Sequence, residues 1–231
     1  MTNWILVVDF GSQVTQLIAR RIREQKIYCE IIPFHQLTIK LLNEKKPSGI
    51  IFSGGPASVT TAKAPSIPKE IFSANIPILG ICYGMQIISK AFGGKITKVS
   101  GREYGKTTIQ ITNSSSINPE NWHINTEQNV WMSHGDSLSQ IPQDFVSFAK
   151  STTHNHVGIA NENKKIFGLQ FHPEVFHTKD GKLIIKKFLM SVCQCKQTWN
   201  MRTFKYDTIN SLKNTLQSKK VLCALSGGVD S

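Results

Sequence analysis

Apolar positions in the first ninety residues alternate between two patterns. Trp4 to Asp9 is a nearly continuous apolar run, as in a strand covered on both faces of a parallel sheet. Gly11-Ser12 interrupts it. Val14, Leu17, Ile18 and Ile22 then recur at helical spacing, with Arg20, Arg21 and Arg23 facing away. Tyr28 to Ile32 predicts a second strand, and a short helix follows around Ile39 and Leu42. Gly49 to Phe52 predicts a third strand, ending in Ser53-Gly54-Gly55-Pro56. Ile78 to Ile81 predicts a fourth, and Gly84 to Phe92 a helix closed by Gly93-Gly94. This alternation predicts an α/β fold: an open, mostly parallel sheet with helices on both faces and right-handed crossovers.

The middle of the chain predicts short strands at Thr107–Thr112, Val130–Ser133, Val146–Ala149, Val157–Ala160 and Ile166–Phe171, separated by polar turns. They read as an antiparallel extension of the same sheet, closed by a helix over Leu183–Val192. Gln194 to Phe204 is polar and aperiodic and reads as a linker. Ile209, Leu212 and Leu216 then mark an amphipathic helix. Val221 to Leu225 reads as a buried strand running into Ser226-Gly227-Gly228-Val229-Asp230-Ser231. A length of 231 residues allows one complete core plus part of a second, at about 150 residues per domain. The expected division is a first domain over 1–195, then a linker and the truncated start of a second α/β domain over 196–231. A strand opening into a glycine-rich loop calls for a helix after it, and the sequence stops at the loop.

Composition narrows the function class. Hydrophobic residues make up 40% and charged residues 18%, an ordinary folded balance. No window reaches 18 apolar residues, so no spanning helix is expected, and Met1-Thr2-Asn3-Trp4 does not open a secretory signal. The 27 basic against 15 acidic side chains give +12, which raises nucleic acid as a partner. Lys40, Lys45, Lys46, Lys63, Lys69, Lys164 and Lys165 are scattered, however, and not interleaved with aromatics, so a solvated basic surface is expected instead. The cysteines, 29, 82, 193, 195 and 223, are odd in number and suit a reducing cytoplasm. Cys193-Gln194-Cys195 has no second ligand pair for zinc, and no metal site is expected.

The chemistry concentrates in two motifs. In Gly80-Ile81-Cys82-Tyr83-Gly84-Met85-Gln86 a cysteine sits where a buried strand turns directly into a helix, with glycines two residues to either side. That is the nucleophile-elbow arrangement with cysteine in place of serine. The helix N-terminus favours the thiolate, and the next backbone amide, that of Tyr83, points where an oxyanion would form. The competing reading is a small buried core cysteine. His172, in Phe171-His172-Pro173-Glu174, follows an apolar strand. Side chains two apart in extended chain share a side, so Glu174 can orient the His172 imidazole as the acidic member of a triad does. The competing reading is a structural histidine.

These two motifs together resemble the class I (triad) glutamine amidotransferases, and Ser53-Gly54-Gly55-Pro56 matches that family's oxyanion loop. Trp131-Met132-Ser133-His134-Gly135-Asp136, Tyr83 and Met85 in the elbow, and His177-Thr178 look like the branch whose ammonia converts XMP to GMP. Ser226 to Ser231 lacks the Walker ending and resembles the pyrophosphate loop of the N-type ATP pyrophosphatases, where backbone amides turn toward one anion. The resemblance implies that Cys82 attacks the glutamine side-chain amide, that His172 is general base and acid, and that Glu174 orients it. It also implies an oxyanion hole from the Gly55 and Tyr83 amides, and glutamine contacts from Gln86, Ser133 and His134. ATP with magnesium is expected at Ser226, Gly227, Gly228, Val229, Asp230 and Ser231, and XMP as acceptor in a homodimeric full-length enzyme. The glutaminase half should need no cofactor. Asp9-Phe10-Gly11-Ser12-Gln13 is read as architecture at a strand end, with a role at the rim of the site left open. Two alternatives stay open: a glutaminase serving another acceptor, such as carbamoyl phosphate or anthranilate synthesis, and a basic nucleic-acid-binding module that kept the fold.

Overall fold

The structure is a computed structural model that describes residues 3–223 and Gly227, with backbone only at 99–102 and 207. It divides into two units, Met1–Gln197 and Thr198–Ser231.

The first unit is built on one nine-stranded sheet. Five strands pair in parallel in the order β2 (Tyr28–Pro33), β1 (Trp4–Asp9), β3 (Gly49–Phe52), β4 (Ile78–Ile81) and β9 (Ile166–Leu169). The sheet continues antiparallel through β8 (Gly158–Asn161), β7 (Val146–Ser151), β5 (Lys95–Ile111) and β6 (Glu127–Gln140). Every residue of β3, β4, β8 and β9 is buried, as the continuous apolar runs require. The pleat sends alternate residues of β1 into two cores. Ile5 and Val7 join Ile18 and Ile22 of α1 (Thr15–Glu24) and Ile184 and Ile185 of α4 (Gly181–Lys187). Leu6 and Val8 join Leu42 of α2 (Ile39–Lys45) and Met85 and Ile88 of α3 (Tyr83–Ala91). Each buried aliphatic side chain contributes about 1.5–3 kcal/mol, so the layered order follows from the strand pattern.

Several elements differ from the sequence reading. β5 and β6 are much longer than the strands expected at 107–112 and 130–133. Residues such as Thr97, Lys98, Tyr104 and Lys106 are exposed, so hydrophobic periodicity is silent there. Backbone pairing between β5 and β6 defines the strands instead. β9 ends at Leu169, which puts Phe171 and His172 in the turn beyond it. The closing helix is α4 followed by a π-helical turn over Phe188–Val192.

In the second unit, α5 (Met201–Leu216) starts inside the expected linker. Asn200 Oδ1 caps it by accepting the Thr203 N–H at 2.8 Å, a preferred N-cap chemistry. The expected strand at Val221–Leu225 is not formed by residues 221–223, where Leu222 is 97% exposed. Among the described residues the second unit has no other strand for them to pair with, and a lone strand leaves its backbone groups unpaired. Ala224 and Leu225 lie outside the described residues.

Candidate active site

The turn between β4 and α3 is held by three backbone hydrogen bonds. The Cys82 N–H donates to the Leu169 carbonyl at 2.7 Å, Gly84 N–H to Ser53 at 3.1 Å, and Gln86 N–H to Cys82 at 3.2 Å. Cys82 sits at φ 50° and ψ −102°, a conformation that costs a non-glycine residue about 1–3 kcal/mol and persists only where its surroundings enforce it. The flanking glycines serve close packing. A Cβ on Gly80 would lie 2.5 Å from the Gly84 carbonyl carbon, and one on Gly84 would lie 2.6 Å from both Cβ and O of Phe52. Gly84→Ala should therefore destabilise by about 1–3 kcal/mol through overpacking against backbone. Urea unfolding measures it, and an unchanged midpoint would refute the close-packing role.

The second motif arrives from beyond β9. The His172 N–H donates to the Trp131 carbonyl at 3.0 Å, and its own carbonyl accepts Thr178 Oγ1 at 2.6 Å. Its Nδ1 lies 2.7 Å from Glu174 Oε1, and Glu174 is fully buried. Its ring lines the same cleft as Cys82. Burial pushes the imidazolium down, but interaction with Cys82 and with Glu174 outweighs it and lifts His172 to about 10. His172 is thus held protonated at neutral pH, ready to give a proton.

Two loops close over this pair. A Cβ on Gly54 would lie 3.1 Å from His172 Cε1, 3.6 Å from Ser12 Oγ and 3.8 Å from Cys82 Cβ, and one on Gly55 would meet the Phe10 carbonyl oxygen at 2.8 Å. Ser53 Oγ fixes the first loop by accepting the Phe10 N–H at 3.0 Å and donating to the Gly54 carbonyl at 2.8 Å. Asp9 Oδ1 organises the second, accepting Gly11 N–H, Ser12 N–H and Thr15 Oγ1 at 2.9, 3.2 and 2.7 Å. As the first residue of α3, Tyr83 has an N–H that the helix does not use. Its phenol is committed elsewhere, donating to the Pro65 carbonyl at 2.7 Å, and burial raises it to about 12.

The result is a cleft of about 730 Å³ that brings together Ser12, Gly55, Cys82, Gln86, Ser133 and His172. Gln86 Nε2 donates to the Asp136 carbonyl at 3.0 Å, and the Ser133 carbonyl accepts the Cys82 thiol at 3.6 Å. His134 lines the cleft, but its Nε2 faces Glu103 Oε2 at 3.3 Å. Gln170 had no place in the sequence reading, yet its Nε2 reaches Cys82 Sγ at 3.7 Å from a fully buried position. Its polar side chain at the end of an apolar strand was the available signal. Of the expected ATP loop, Ser226 and Gly228 to Ser231 lie outside the described residues.

The geometry matches a known family. The model of the class I glutamine amidotransferases matches residues 6–192, which spans the sheet, the elbow and the His172–Glu174 turn. The chain belongs to the class I glutamine amidotransferases. This amidotransferase is 49% identical over 227 residues to the GMP synthase [glutamine-hydrolyzing] of Finegoldia magna, covering 98% of the chain and 44% of that protein. It is 48% identical over 231 residues to that of Treponema denticola, covering 100% of the chain and 43% of the relative. The chain therefore spans less than half the length of these relatives. The crystal structure of a Thermoplasma acidophilum protein, described as one subunit of a GMP synthase, superposes with a TM-score of 0.68 at 29% identity, covering 91% of this chain and 99% of that one. A glutamine amidotransferase from Thermotoga maritima shares the fold with a TM-score of 0.61 at 18% identity, covering 95% of each chain. The chain is thus a glutamine-dependent enzyme domain. Among the described residues no helix is long and apolar enough to cross a membrane.

Proposed function

We propose that this chain is the glutaminase portion of a glutamine-hydrolysing GMP synthase, a cytoplasmic enzyme. The observation that carries the glutaminase reading is the His172 ring, paired at 2.7 Å with a fully buried Glu174 and lining, with Cys82, one cleft wide enough for an amino acid. The Cys82 sulfur attacks the side-chain carbonyl carbon of glutamine. The Gly55 and Tyr83 amides hold the oxyanion that forms, where fixed donors stabilise developing charge most. His172 gives its proton to the leaving nitrogen, ammonia departs, and a glutamyl thioester remains on Cys82. Water, deprotonated by His172, breaks the thioester, so glutamine plus water becomes glutamate plus ammonia. Gln86, Ser133 and the backbone of His134 lie where they can hold the amino-acid end of glutamine. The His134 imidazole is turned to Glu103 Oε2.

The acceptor reading rests on the near-half identity to GMP synthases of two organisms and on the Ser226–Ser231 sequence. ATP, with magnesium, would activate the purine 2-oxygen of XMP, and ammonia would displace AMP to leave GMP. Glutamine labelled with 15N in its amide tests this in the longer, expectedly homodimeric protein that carries the chain. With XMP and Mg-ATP the label should enter the 2-amino group of GMP. Cys82→Ala should abolish transfer from glutamine while free ammonia still supports GMP formation. Label appearing instead in carbamoyl phosphate or anthranilate, given their precursors, would replace this acceptor with another.

A further inference from the structure

The long β5–β6 hairpin carries a buried polar cluster that the glutaminase reaction does not use. Glu103 on β5 stands directly opposite His134 on β6, and His154 enters from the turn after β7. Glu103 Oε2 lies 3.3 Å from His134 Nε2 and 3.6 Å from His154 Nε2, and all three atoms fall within 4.8 Å of one another. Ligand atoms around a tetrahedral zinc with bonds of about 2.0–2.1 Å stand about 3.3 Å apart, so the cluster needs little closure to share one ion. The side chains are 12%, 2% and 6% exposed for Glu103, His134 and His154. All three facing atoms are buried without a hydrogen-bond partner among the described residues. Leaving such groups unsatisfied is costly, and coordination removes that cost.

The surroundings are those of a supported ligand set. Glu103 Oε1 accepts the hydroxyls of Ser151, at 3.2 Å, and Thr153, which leaves Oε2 for the two imidazoles. His154 is pinned by its N–H to Ser151 Oγ at 3.0 Å and by its carbonyl, which accepts Ser151 N–H at 2.7 Å. We propose that Glu103, His134 and His154 form a binding site for one divalent transition-metal ion of the zinc class, held by two Nε2 atoms and one carboxylate oxygen. Two imidazoles and a carboxylate favour zinc over magnesium or calcium, which prefer oxygen ligands. The ion clamps β5 and β6 to the turn after β7, behind the cleft wall that carries Ser133.

The test uses the whole chain with Cys82→Ala and Cys223→Ala, so that neither the site thiol nor the exposed one competes for metal. Zinc should bind with one-to-one stoichiometry and raise Tm by about 5–10 °C at a hundredfold excess over Kd. Magnesium should not. X-ray absorption at the zinc edge should show only nitrogen and oxygen neighbours at about 2.0–2.1 Å. Glu103→Gln and His154→Gln should each weaken binding by more than about 100-fold, beyond what loss of a supporting residue costs. No Tm shift in the parent, sulfur in the zinc shell, or binding that survives both substitutions would overturn the site. The first two readouts do not depend on the folding of Glu103→Gln or His154→Gln.

Discussion

Cys82→Ala is expected to lower glutamine hydrolysis by at least about 10⁴-fold, the scale on which removal of a covalent nucleophile acts, while the chain stays folded. The side chain removed makes two long hydrogen bonds, to the Ser133 carbonyl at 3.6 Å and from Gln170 Nε2 at 3.7 Å. The backbone bonds that hold the elbow are independent of it, so Tm should move by only a few degrees. The other thiols are poor substitutes. Burial raises Cys29 to about 11 and raises Cys193 and Cys195 as well, and Cys223 is exposed and belongs to the second unit. A glutamine-like chloroketone should therefore label wild type once, at Cys82, and Cys82→Ala should not be labelled. Ammonia release and peptide mapping read both outcomes. Label on any other cysteine, or turnover that survives the substitution, would sink the nucleophile assignment.

What was legible in the sequence follows the physics of each element. Strands buried on both faces show as apolar runs, so Trp4–Asp9 and Ile78–Ile81 stood out with correct ends. The elbow was readable because its two glycines flank the cysteine at fixed spacing; Gly80 is required by nearby Gly84, whereas Gly84 is required by Phe52 of β3, which only the fold brings close. The polar part of β5 was not readable, since its strand character comes from a ladder with β6 across a long connection. Glu103, His134 and His154 become neighbours only through that ladder and the turn after β7. Gln170 acquires meaning only once β9 lies beside β4 and brings it to Cys82. Conversely, the spacing of Ile209, Leu212 and Leu216 revealed a helix but not its start, because Asn200 begins it by a cap rather than by periodicity.

His172→Ala should be as inactive as Cys82→Ala, while the two substitutions at Glu174 should separate charge from position. Without the imidazole that lines the cleft with Cys82 and pairs with buried Glu174, neither thioester formation nor ammonia departure has a proton carrier. Glu174→Gln keeps an acceptor at the position of Oε1, 2.7 Å from Nδ1, but removes the charge that helps lift His172 to about 10. It should cost about 10²–10⁴-fold, less than loss of the base itself, as with other orienting carboxylates. Glu174→Ala should cost more than Glu174→Gln because the ring also loses its tether. The sign of the pH effect follows from the raised value. In the unfolded chain His172 titrates near its ordinary value of about 6.5, so its contribution to stability is complete below that pH and is lost as pH rises through about 10. In Glu174→Gln that contribution should be smaller and its loss complete at lower pH. NMR titration of the His172 ring, with urea midpoints from pH 6 to 10, measures the shift beside the rate. If Glu174→Gln left the titration where it stands in wild type but was still inactive, the carboxylate would act by something other than holding the imidazolium, and its role as orienting partner would have to be given up.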